Sequence, residues 1–68
     1  MKITDAMIAE WQARKNTSIE WQFPHETWSA EVWGRGAAAS IQPTISVYGR
    51  SKFSAIRRAI RAEAKEKK

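Results

Sequence analysis

The 68-residue chain contains no cysteine and a single histidine, His25. Disulfides, thiolate metal sites and cysteine nucleophiles are therefore excluded, and one imidazole argues against a zinc centre. No cofactor is expected. A cysteine-free composition fits a reducing cytoplasm, the expected location. Long apolar runs are also missing: nothing approaches the roughly 20 residues that span a bilayer, and "MKITDAMIAEW" is interrupted by Asp5 and Glu10, unlike a secretory signal. A chain this short is expected to form one domain, near the lower size limit for an unaided core.

What is present is unevenly placed. Residues 1–48 carry four basic against five acidic side chains, whereas residues 49–68 carry eight basic against two acidic, a net of +6. A one-sided basic pole favours an anionic partner: nucleic acid, a membrane surface or an acidic protein. Membrane insertion is not expected, because the apolar stripe of the basic segment is needed for a core.

Periodicity supplies the elements. "ITDAMIAEWQARKN" predicts a helix capped by Thr4 and stopped by Asn16, with Ile3, Met7, Ile8 and Trp11 on one stripe. "SIEWQF" alternates, with Ile19, Trp21 and Phe23 on one side, and "PHET" is a turn opened by Pro24. "WSAEVWG" is a second strand with Trp28, Ala30 and Val32 inward; "TISVYG" is a third with Ile45 and Val47 inward. Between them "GRGAAASIQP" reads either as a loop or as an extension of these strands. Ser51 then caps a last helix whose stripe is Phe53, Ile56, Ile60 and Ala64, and only about residues 65–68 read as a disordered tail. The expected class is α+β: an α-β-β-β-α order, with a three-stranded antiparallel sheet and both helices packed on one face. The expected core is the inward set, Phe23 and Phe53 included.

This order, together with "EWQFPHETWSAEVWG" and "YGRSKFSAIRRAI", resembles the double-stranded RNA-binding domain over nearly the whole chain. In that family a Pro- and His-bearing loop follows the first strand, and a glycine–serine–lysine turn opens a basic helix. The family's Lys-Lys-x-Ala-Lys is represented by Lys52, Phe53, Ser54, Ala55 and Ile56, so Phe53 and Ile56 stand at lysine positions. The resemblance implies duplex RNA as partner, with Lys52 on phosphates and His25 on ribose hydroxyls. Arg50 and Arg57 are candidate substitutes for the missing lysines, next to a helix start whose free N–H groups suit phosphate. The competing reading is that these charges only solvate the surface, above all for Arg58, Arg61 and Lys65.

Trp33 has the opposite parity to Trp28, and Tyr48 the outward parity on the third strand, which makes an open sheet face a candidate partner surface. "GxSxxxAIxxAI" also resembles small phage-borne and antitoxin-like proteins, so a protein-interaction or inhibitor module, monomeric or weakly dimeric, is the alternative. Catalysis finds little support: Glu20 and Glu31 share a face but need a pocket to perturb them.

Overall fold

A computed structural model describes residues 2–34 and 43–66. The order is α1 (Asp5–Ala13), β1 (Thr17–Gln22), β2 (Thr27–Val32), β3 (Ile45–Gly49) and α2 (Lys52–Glu66). The expected α-β-β-β-α class is what the chain adopts, with antiparallel strands in the order β1-β2-β3 and both helices against the sheet. The segment 35–42 and residues 67 and 68 lie outside the described residues, so the loop-or-strand alternative for "GRGAAASIQP" falls there too. α2 continues to Glu66, two residues into the stretch expected to be a tail.

Capping makes α1 shorter than its apolar period. The Thr4 hydroxyl accepts the Met7 N–H at 3.3 Å, while the Thr4 N–H points to the Met7 sulfur at 3.5 Å, a capping box with a thioether in the usual carboxyl place. Arg14, not Asn16, ends the helix by turning extended, at ψ 148. Ile8 and Trp11 are the buried residues of its inner side.

Register fixes two chemically distinct sheet faces. Ile19, Ala30 and Val47 form one rung of the inner face, and Thr17, Val32 and Ile45 the next. The outer face is polar: Ser18 beside Glu31 and Ser46, then Glu20 beside Ser29 and Tyr48. Glu20 and Glu31 are thus diagonal neighbours rather than directly opposed.

α2 starts where Ser51 accepts the Ser54 N–H at 3.1 Å. Its buried side is Ala55, Ile56, Ala59 and Ile60, which join Ile8, Trp11, Ala30, Val32 and Ile45 in one core. The expected stripe is therefore rotated towards the alanines, and Phe53 is left 52 % exposed. The cause is a close approach at Gly49. A Cβ there would lie 2.5 Å from the Ala55 nitrogen and 2.8 Å from its Cα, so β3 meets the first turn of α2 backbone to backbone. Small residues let the helix lie this close, and Phe53 is displaced to the flank.

Two other residues expected in the core are outside it. Phe23 follows the last residue of β1 and sits in the turn at 84 % exposure, and Trp21 has the inner parity yet is 46 % exposed on the edge strand.

Candidate functional site

The sheet has two ends, and register decides what meets at each. Gln22 pairs with Thr27 across the turn of residues 23–26, and Trp28 pairs with Gly49, the last residue of β3. The Thr27 hydroxyl donates to the Gly49 carbonyl at 2.9 Å, which ties the turn's exit to the chain just before Arg50. His25 in the turn and Arg50, Ser51 and Lys52 at the start of α2 are thereby brought to one end. The sequence alone could not join them, since about twenty-five residues separate the two segments.

Arg50, His25 and Arg57 are exposed, and Lys52 is half-buried. Arg57 lies one helical turn beyond Phe53, and both line a shallow groove of about 360 Å³ with Asp5, Ile8, Ala9 and Gln12 of α1. Among the described residues the ion pair found is Arg14 with Glu63, so Arg50, Lys52 and Arg57 have no carboxylate partner there. Asp5 lines the same groove as Arg57, and Glu26 lies in the turn. The Ser51 cap satisfies the Ser54 N–H, and the Ser51 carbonyl accepts the Ala55 N–H at 3.0 Å. The first N–H groups of a helix have no intrahelical partner and lie at the positive end of its dipole, and in α2 these belong to the turn that carries Lys52 and Phe53.

The two positions that replace lysine in the resemblance differ in kind. Ile56 is fully buried and belongs to the core, so it offers nothing to a ligand. Phe53 is exposed beside Arg57. Aromatic exposure at this end is what sequence reasoning missed: among the described residues Trp21, Phe23 and Phe53 are three of the four large apolar side chains left exposed. Trp21 and Trp28 touch at a centroid distance of 5.5 Å, with planes inclined by 62°, on the second rung from the turn. The available signal for Phe23 was its place directly before Pro24, where a ladder ends.

The structure does not gather Trp33 and Tyr48 into one patch. Tyr48 is 55 % exposed on the polar face, opposite Ser29. Trp33 is half-buried beyond the end of β2, where its N–H donates to the Asn16 carbonyl at 2.7 Å and its own carbonyl accepts from Asn16 Nδ2 at 2.9 Å. Four residues of strand separate Trp33 from the Tyr48 rung, roughly 13 Å at the usual strand rise.

No protein-family model, curated protein or solved structure matches the chain. Function has to be read from geometry. Among the described residues no group of three or more His, Asp or Glu side chains is placed to hold a metal ion, and no helix is long and apolar enough to cross a membrane.

Proposed function

We propose that the chain is a non-catalytic, cytoplasmic nucleic-acid-binding module whose ligand is duplex RNA, in the manner of the double-stranded RNA-binding domain it resembles. One observation carries this reading: the His25 turn and the Ser51-capped start of α2, with Arg50 and Lys52, share one end of the sheet and face no carboxylate partner among the described residues. Arg50, Lys52 and Arg57 supply the phosphate contacts, and the dipole and first N–H groups of α2 add to them. His25 reaches a ribose hydroxyl from the turn, the feature that separates RNA from DNA. Arg50, Lys52 and Arg57, from the first part of the basic stretch, attract the polyanion to this end.

The test is binding of a short blunt RNA duplex at fixed salt. Replacing Arg50 and Lys52 together by alanine should weaken it at least tenfold, by the usual worth of charge-assisted contacts. Equal affinity for variant and wild type would remove the site.

Tyr48 favours a second reading, because it is the exposed aromatic of an otherwise polar face. A protein partner docking there would make the chain a phage-type or antitoxin-like interaction module, or a weak homodimer. Sedimentation across a concentration range and a Tyr48→Ser variant separate this reading from the first.

A further inference from the structure

The core of this small domain is partly built from alanine: Ala30, Ala55 and Ala59 are fully buried while Trp21, Phe23 and Phe53 stand in solvent at 46, 84 and 52 % exposure. A single exposed aromatic is ordinary, but several collected at one end of a molecule mark a contact surface. These three are collected by topology. Trp21 stands on the rung Trp21–Trp28–Gly49, Phe23 opens the turn that follows it, and Phe53 lies in the first turn of the helix that Gly49 leads into. Arg50 and Lys52, which have no carboxylate partner among the described residues, come from the same short stretch, and Arg57 lines one groove with Phe53.

A ligand for this end must offer both negative charge and flat apolar surface. A regular duplex offers phosphates but hides its base faces in the stack, so Trp21 and Phe23 would meet nothing they can use. A nucleic acid with unpaired bases beside its duplex offers both, because any base presents a π-face to an aromatic ring and the adjoining phosphates pair with arginine and lysine. Trp28 braces Trp21 from one side in an inclined contact, which limits the ring freedom lost on stacking.

We infer that the ligand of the basic end is a duplex RNA with unpaired nucleotides at its terminus or in a bulge, and that Phe23 and Trp21 stack on those bases while Arg50, Lys52 and Arg57 hold the phosphates. This rests on the nucleic-acid reading above and sharpens it: the module recognises the junction between paired and unpaired strand.

The experiment compares three labelled RNAs at one salt concentration: a blunt duplex, the same duplex with a short single-stranded 3′ extension, and the extension strand alone. The extended duplex should bind about tenfold more tightly than the blunt one, the effect of one well-stacked base. Phe23→Ser, at a position 84 % exposed and outside the strands, should fold normally by circular dichroism and bring the ratio towards one. Trp21→Thr should do the same. Arg50→Ala with Lys52→Ala should weaken both duplexes and leave the ratio unchanged. Equal binding of blunt and extended duplex by the wild type, or a ratio insensitive to Phe23→Ser, would overturn the inference while leaving the duplex reading standing. If none of the RNAs binds and an acidic peptide with spaced aromatic or leucine residues does so through Phe23, both fail, and the surface belongs to a protein partner.

Discussion

The two ends of the sheet are built to opposite rules. At the end where β1 begins, Arg14, Asn16, Thr17, Thr44 and Glu63 are matched to partners, while the exposed Lys15 and Lys65 there have no carboxylate partner among the described residues. Arg14 makes a two-pronged pair with Glu63 at 2.6 and 2.8 Å and donates to Asn16 at 3.1 Å; Asn16 binds the Trp33 backbone both ways. The Thr17 hydroxyl donates to the Trp11 carbonyl at 2.8 Å, closing the α1–β1 connection, and Thr44 binds the Val32 carbonyl. At the other end the cations have no carboxylate partners among the described residues and three aromatic rings are exposed. The first end locks helices to sheet, and the second leaves its chemistry available. Groups that are already satisfied have little to offer a ligand, whereas unmatched charge beside exposed apolar area is free energy held in reserve for one.

The largest break in this comparison should come from Gly49, the one rigid demand at the open end. Gly49→Val puts a branched side chain against Ala55 backbone, so a loss of about 3 kcal/mol or more is expected as a lowered urea midpoint. Next is the tied end. The Arg14–Glu63 pair is partly exposed, at 32 and 18 % for its side chains, which reduces its worth through solvent screening. A double-mutant cycle with Arg14→Met and Glu63→Gln should return a coupling of about 1 kcal/mol, and RNA affinity should not change. The hydrogen bond to Glu63 raises the Arg14 pKa above its already high ordinary value. A raised folded-state pKa contributes stability below the unfolded value that is lost only as pH climbs past it. The guanidinium side of the pair therefore persists through neutral and mildly alkaline solution, and unfolding midpoints at pH 7 and 9 should differ equally between wild type and Arg14→Met.

A smaller effect of opposite sign is expected at Glu26, which holds a left-handed φ of 49 in the turn. Glu26→Gly should raise stability by about 0.5–1 kcal/mol by relieving the Cβ clash, and should also tighten RNA binding by removing a negative charge from the open end. Smallest in stability are Arg50→Ala and Phe23→Ser, each expected within about 0.5 kcal/mol of wild type because both side chains are exposed. That near-neutrality, beside a clear loss of affinity, is what marks residues kept for binding.

Much of the fold was legible in the sequence because its alternation is clean. Ile19, Ala30, Val32, Ile45 and Val47 all take the inner face that period two assigned them, and Thr4 and Ser51 cap as hydroxyl residues before apolar stripes do. What period could not show is distance of approach. Whether α2 would rest on Phe53 or on Ala55 and Ala59 depended on Gly49, a tertiary contact absent from any local pattern. The same limit explains Trp21: its parity is right, but parity says nothing about whether a helix reaches an edge strand. Within the candidate site, Arg50, Lys52 and Arg57 were legible from charge and the glycine–serine turn. Their meeting with the His25 turn needed the register of β2 on β3. Trp33 has its backbone held by Asn16 beyond the end of β2, a long-range pairing that local parity does not reveal.

The division into a tied end and an open end can be read in one nuclear magnetic resonance titration, since the four tryptophans report from different places. Adding duplex RNA with a short 3′ extension should move the Trp21 indole resonance and the amides of residues 23–26 and 50–57. The Trp11 and Trp33 indoles, and the amides of Arg14, Asn16 and Glu63, should stay in place. Shifts centred on Tyr48 and Trp33, or an RNA titration that moves nothing, would contradict the account.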